Sequence, residues 1–204
     1  MLTGKTARDS SQRQQWRWLV RHGESAANAG VATTNPATIP LTLAGKDQAQ
    51  QIATAFPQRP DLIVVSPYLR TRQTAEPTMR RFPDVPVEIW PVQEFTYLAP
   101  GRCIDTTAEQ RRPLVQAYWD RCDAGHADGE GAESFSAMLG RVRELQHCLA
   151  THPAGCIVVF THGQVMQAIR LLDTHPAAGE RELMAQFLEF DQQSPVRNGQ
   201  MLAV

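Results

Sequence analysis

Short runs of β-forming residues alternate with segments of helical periodicity, and that alternation limits what this chain can fold into more than any other feature. The runs are Trp16–Val20, Asp61–Val65, Val85–Ile89, Cys156–Phe160 and Phe187–Phe190, each of a length suited to a buried strand. After the first, Thr42 is placed to cap a helix with Ala49, Ile52, Ala53 and Phe56 on one face, and Ser66 followed by Pro67 predicts a second helix start. A long helix from about Glu133 to Ala150 turns Phe135, Met138, Leu139, Val142, Leu145 and Leu149 to one side, and another runs from Gly163 to about Leu172. Strands and helices in this order predict an α/β fold with a mainly parallel central sheet covered on both faces.

The stretch from Phe95 to Ala132 interrupts the alternation, and a structureless loop of that length is improbable inside a compact domain. Pro113 suits a first helical position, and Leu114, Val115, Tyr118, Trp119 and Cys122 then form an apolar stripe at helical spacing. The expectation is a small helical cap insertion, about 95–132, with Tyr118 and Trp119 packing it onto the body. At 204 residues the chain suits a single domain, here 16–204. Residues 1–15 carry Lys5, Arg8 and Arg13 among Ser, Thr and Gln without an apolar stretch, so they read as a flexible N-terminal tail rather than a secretory signal.

Twenty Lys plus Arg against 21 Asp plus Glu give a formal charge of −1, which supplies no global field for nucleic acid or an anionic membrane. The longest unbroken apolar run, Cys156 to Phe160, is far short of the roughly 20 residues of a membrane-spanning helix. Cys103, Cys122, Cys148 and Cys156 lack both the C-x-x-C spacing of zinc ligands and the density of a disulfide scaffold. They read as reduced thiols in a cytoplasmic protein. His147, Cys148, His152 and Cys156 straddle a helix end, a turn and a strand start, so no metal site is expected there.

In open α/β sheets, ligands gather beyond the carboxyl ends of the strands. The first strand ends in Arg21-His22-Gly23-Glu24-Ser25, the second is followed by Ser66-Pro67-Tyr68-Leu69-Arg70, the third by Glu94, and the fourth by Thr161-His162-Gly163. One His-Gly pair at a strand end is weak evidence of a site. Two such pairs, with arginines and a carboxylate converging on them, point to chemistry on an anion.

In these residues the chain resembles the histidine phosphatase superfamily, the phosphoglycerate-mutase-like family. The resemblance begins with Arg21-His22-Gly23-Glu24-Ser25 and Asn28, and continues through Leu41-Thr42-Leu43-Ala44-Gly45 with Gln48-Ala49. Ser66-Pro67 with Arg70 and Gln73-Thr74-Ala75, Glu133-Ser134 with Arg141, and Thr161-His162-Gly163 follow in order. It implies a three-layer α/β/α sandwich and a phosphohydrolase or phosphomutase that works through a covalent phosphohistidine without a cofactor.

The residues suit that chemistry. Neutral imidazole can approach a phosphate dianion without repulsion, which fits His22 as nucleophile. Arg21 and Arg70 would disfavour its protonated form and bind phosphoryl oxygens. His162, if protonated by anionic surroundings, would add a donor, as would Asn28 and the Gly163 amide. The family places its general acid where Glu94 stands, although Gln93-Glu94-Phe95-Thr96-Tyr97 lacks the second acid and the glycine-tryptophan usually found soon after. Glu133 and Ser134, at a helix start, read as structural. Arg102, Arg111 and Arg112 in the cap are candidates for a second anionic group on the substrate.

The expectation is therefore a phosphatase acting on a small phosphorylated substrate or a phosphoprotein, with His22, Glu94 and His162 as catalytic residues. The glycolytic mutases' extended arginine- and proline-rich lid is missing, which favours hydrolysis over mutase chemistry. A non-catalytic phospho-ligand binder would not need to keep nucleophile, acid and arginines together.

Overall fold

The computed structural model describes residues 15–204, so the expected tail lies outside the described residues except for Gln15. In chain order the elements are β1 (Trp16–Arg21), α1 (Leu43–Ala55), β2 (Leu62–Val65), α2 (Leu69–Arg81) and β3 (Val87–Ile89), followed by a 3₁₀ turn at Pro100–Arg102 and α3 (Ala108–Arg121). Then come α4 (Phe135–Thr151), β4 (Cys156–Thr161), α5 (Gly163–Thr174), α6 (Glu180–Gln193) and β5 (Met201–Ala203). The sheet order is β3-β2-β4-β1-β5; the first four strands are parallel and β5 runs antiparallel to β1.

Strand alternation divides the core in two. Leu19, Leu62, Val64, Ile157 and Val159 pack with the apolar faces of α4, α5 and α6, while Val20, Ile63, Val65, Val158 and Phe160 pack with Ile52 and Phe56 of the α1 region and Ala75 of α2. Both faces are thus covered, the arrangement that the fully buried central strands β2 and β4 require. The α4 stripe is buried at all six expected positions, and truncating a fully buried residue there, such as Leu139→Ala, would cost about 2–5 kcal/mol. Thr42 caps α1 by accepting the Gly45 N–H, and Ser134 caps α4 by accepting that of Ala137.

Three local expectations need correction. Phe187–Phe190 is not a strand but part of α6, in which Leu183, Met184 and Phe187 form one buried face; the short apolar run was ambiguous between strand and helix, and the residues before it decide. The closing strand is Met201–Ala203, three residues that become a strand by pairing with β1. Helix α3 starts at Ala108, where Thr107 and Gln110 form a reciprocal capping box, and Pro113 lies inside it, leaving the Glu109 carbonyl without its usual partner. Likewise α2 starts at Leu69 with Tyr68 at its N-cap, and the Ser66 hydroxyl accepts the Tyr68 N–H at 3.3 Å just ahead of it.

The insertion contains the 3₁₀ turn and α3. Trp119 stacks on Phe187 of α6, with centroids 5.5 Å apart, and meets Phe135 of α4 edge-on at 6.0 Å. These contacts pack α3 against α4 and α6. Among the described residues no helix is long and apolar enough to cross a membrane, and the four cysteines are free.

Candidate active site

The register of β1 and β4 creates the site. Arg21 lies opposite Thr161 in the parallel ladder, so the next residue of each strand, His22 and His162, emerges side by side with ring centroids 5.2 Å apart. Both are buried. The turn after β1 is set by contact between main chains: a Cβ on Gly23 would stand 2.4 Å from the Gly45 carbonyl oxygen, and one on Gly45 2.0 Å from that of Glu24. Only glycine fits at either position, which explains the glycine at the start of α1. Thr42 completes the contact by donating to the Glu24 carboxylate at 2.7 Å.

The tautomer of His22 follows from its partners. Nδ1 lies 2.7 Å from the Gly23 carbonyl oxygen, which can only accept, so Nδ1 carries the proton. Nε2 then presents its lone pair, toward which Arg70 Nε donates at 3.1 Å. The same guanidinium reaches His162 Nδ1 at 3.0 Å, making that nitrogen an acceptor and leaving His162 Nε2 to donate to Ser66 Oγ at 2.8 Å. Arg70 is anchored by a 2.7 Å bond to the Pro36 carbonyl and covered by the Tyr68 ring.

Burial, then the Arg70 charge, hold His22 well below the ordinary histidine range. Burial and Arg70, with His22 and Arg21 adding to them, do the same to His162. Burial thus favours the neutral form of both rings. His162 Nδ1 accepts from Arg70 at 3.0 Å, so the ring would donate to an anion only on taking up a proton.

Glu94 reaches the histidines from the loop after β3. Donor atoms of His22, Glu94 and His162 lie within 4.8 Å of one another. Glu94 Oε1 accepts the N–H groups of Phe95 and Gln164, each at 3.2 Å, the second from the N-terminal turn of α5. Burial pushes the carboxyl above its ordinary range, and Arg70, Arg21 and the two amides pull it back. Two imidazoles and a carboxylate are ligands of the kind transition metals take. Here, however, Arg70 already donates to both exposed lone pairs and two guanidiniums supply positive charge, so the cluster suits an anion.

Arg141 holds that loop in place. It binds Glu133 through two 2.7 Å bonds and donates to the carbonyls of Pro91 and Gln93, flanking Glu94. Glu133 is thus structural, as read from the sequence, through an ion pair rather than a helix dipole alone. Arg21 donates to the Val196 carbonyl, while its buried Nε–H has no partner among the described residues. Gly163 packs under Arg21, where a Cβ would lie 3.2 Å from Nε, and it does not line the cavity.

Asn28 stands exposed at the rim, its Oδ1 accepting from Ser25 N–H and Oγ–H at 3.2 and 2.9 Å. The cavity measures about 360 Å³ and is lined by Arg21, His22, Arg70 and Glu94 at its base, by Asn28 at its rim and by cap residues such as Tyr97, Cys103, Arg111 and Val115 above. Of the three cap arginines, Arg102 pairs with Asp128 and Arg112 with Glu109. Only Arg111 lines the cavity, fixed through Nη1 to Thr106 O and Oγ1 at 2.7 and 2.9 Å.

Sequence reasoning did not find Ser66 as the partner of His162, nor the turn of residues 195–200, where Asn198 donates to the His22 carbonyl at 3.2 Å. The Ser-Pro pair was a visible signal for the first. Nothing local marks the second.

The sequence profile of the histidine phosphatase superfamily (branch 1) matches residues 17–186. An adenosylcobalamin/α-ribazole phosphatase of Salmonella typhimurium is 29% identical over 169 residues, 79% of this chain and 81% of its own. A protein of the same name from Escherichia coli is 32% identical over 143 residues, 64% and 68% of the two chains. The α-ribazole phosphatase of Shigella flexneri shares the fold with a TM-score of 0.69 at 24% identity, over 93% of this chain and 89% of its own. The mycobacterial glucosyl-3-phosphoglycerate phosphatase with VO3 shares it with a TM-score of 0.68 at 23% identity, over 93% and 90%. Since the profile extends from β1 into the first half of α6 and takes in both strand-end histidines, this chain belongs to the histidine phosphatase superfamily, branch 1.

Proposed function

We propose that the protein is a metal-independent phosphomonoesterase that passes the phosphoryl group through His22. The observation that carries this reading is the His22 tautomer, fixed by the Gly23 carbonyl so that Nε2 offers its lone pair beside Arg70. A neutral nucleophile meets a phosphate dianion without charge repulsion, and the guanidinium is already in place to receive the phosphoryl oxygens.

In the first step the Nε2 lone pair forms an N–P bond as the ester P–O bond breaks in line. The departing oxygen takes the proton of the Glu94 carboxyl group, which burial favours in its neutral form. In the second, the Glu94 carboxylate removes a proton from water while the water oxygen attacks phosphorus. The N–P bond breaks, its electron pair returns to Nε2, inorganic phosphate leaves and Glu94 is again protonated. Arg70 exchanges the imidazole lone pairs for phosphoryl oxygens, the buried Nε–H of Arg21 gains an acceptor, and His162 becomes a donor once protonated. Asn28 adds a neutral donor at the rim, and Gly163 gives Arg21 room.

The substrate is a small phosphorylated molecule. A cavity of about 360 Å³ is in the range that holds a whole ligand rather than a bare ion. The relatives' names point the same way, being phosphatases of small phosphorylated metabolites. Its leaving group would rest against Tyr97 and Val115, with Arg111 facing any acceptor atoms it carries.

Hydrolysis of p-nitrophenyl phosphate in excess chelator tests the reading. Nitrophenol release at an undiminished rate is expected, and loss of activity on chelation would rule out the metal-free mechanism.

A further inference from the structure

We infer that Asn198, on the turn that follows the last helix, is a positioning residue for phosphate binding, holding the Asn28 side chain with its NH₂ group toward the cavity. The inference rests on the phosphate-site reading above. Residues 195–200 lie beyond the part of the chain that the superfamily profile covers, yet they touch the site repeatedly. The main-chain N–H of Arg21 donates to the Gln200 carbonyl at 2.9 Å, and Arg21 Nη1 donates to that of Val196. The His22 carbonyl accepts from Gly199 N–H and from Asn198 Nδ2, each at 3.2 Å. The Asn198 amide also donates to Asn28 Oδ1 at 3.1 Å, across 170 residues of sequence.

The orientation of the Asn28 amide follows from these partners. A main-chain N–H can only donate, so the atom that Ser25 N–H meets at 3.2 Å is the Asn28 oxygen. Ser25 Oγ and Asn198 Nδ2 bring further donors to the same atom. Flipping the amide would set its NH₂ against those donors and turn the oxygen toward the anion. Asn198 therefore adds to the bias that keeps a donor, not an acceptor, at the cavity rim. Its other bond is duplicated, since the His22 carbonyl keeps Gly199 N–H when Asn198 is removed. The effect of losing Asn198 must then pass through Asn28.

The test is a double-mutant cycle with Asn28→Ala and Asn198→Ala, read by calorimetric titration of inorganic phosphate and by kcat/KM on p-nitrophenyl phosphate. Asn28→Ala removes one hydrogen bond to a charged group and should weaken phosphate binding about 10-fold. Asn198→Ala should weaken it several-fold in the wild-type background and not at all in the Asn28→Ala background, because coupled residues fail to add. Equal losses in both backgrounds, or wild-type affinity in Asn198→Ala, would overturn the inference. A wild-type protein that binds phosphate without hydrolysing the ester would defeat the catalytic reading alone and leave the cycle to decide on Asn198. One that binds no phosphate would defeat both.

Discussion

Arg70 Nε donates to His22 Nε2 at 3.1 Å, the atom that attacks phosphorus in the proposed mechanism. In that mechanism the guanidinium holds the His22 lone pair until an anion takes its place, and its other arm, on His162 Nδ1 at 3.0 Å, does the same for that ring. A lysine ammonium is a single point charge and cannot bridge two imidazoles while also holding the Pro36 carbonyl. Arg70→Lys should lower kcat/KM for p-nitrophenyl phosphate by about 10²–10³, the cost of losing one preorganised oxyanion donor. Activity within a few-fold of wild type in steady-state assays would show that Arg70 carries charge only.

The pH profile should be displaced toward acid. Burial and Arg70 depress His22 below its ordinary value of 6.5, so the nucleophile stays deprotonated as pH falls through that value, and the acid limb of kcat/KM lies lower. Glu94 is raised above its ordinary value of 4.5 by burial, so its proton persists to higher pH and is then lost, giving the descending limb. A kcat/KM profile, which reports free-enzyme groups, should peak on the acid side of neutrality. A maximum above pH 8 would contradict these assignments.

Stability should respond to the same histidines. His22 and His162 are neutral in the fold, whereas in the unfolded chain they take up protons below about pH 6.5. The unfolded state then binds more protons, so stability falls as pH drops from about 6.5 toward the depressed folded values. Melting curves at pH 7 and pH 5.5 should show a lower Tm in acid, with His162→Gln reducing the difference. An unchanged pH dependence in that variant would count against a neutral, buried His162.

Replacing Glu94 by Gln removes the proton donor but keeps the shape. Nitrophenolate leaves without help, while an alkoxide needs the proton, so Glu94→Gln should slow alkyl phosphates roughly 10²-fold or more and nitrophenyl phosphate far less. Equal slowing of both esters would place the acid elsewhere.

Arg111 should act on binding rather than on bond-breaking. Arg111→Ala is expected to raise KM about 10-fold for phosphate esters that carry a second anionic group, the value of one charged hydrogen bond, and to leave kcat on nitrophenyl phosphate unchanged. A metabolite screen in which the variant and wild type rank substrates identically would remove Arg111 from substrate recognition.

Much of this architecture was legible because its causes are local. β4 carries an unbroken apolar run from Cys156 to Phe160, α4 carries its stripe at helical spacing, and His22 and His162 each sit one residue past a strand end. The parallel sheet then does the rest, since adjacent in-register strands bring those ends together. Where the reading failed, the deciding contacts were distant or the signal was short. Phe187–Phe190 looked like a strand until Leu183 and Met184 completed a helical face. Met201–Ala203 has no strand character of its own and is made a strand by β1. The pairing of Ser66 with His162 spans 96 residues, and that of Asn198 with His22 spans 176. The neutral form of His162 was not legible because it depends on Arg70 donating directly to its ring, a contact across 92 residues.

The central claim is that His22 Nε2 takes the phosphoryl group, and the most direct measurement is rapid acid-free quench after mixing the enzyme with ³²P-labelled substrate. Wild type should carry an alkali-stable, acid-labile label that maps to the peptide containing His22, and His22→Ala should carry none while remaining folded. Equal labelling of the variant, or hydrolysis by wild type with no labelled enzyme at any time, would contradict the account.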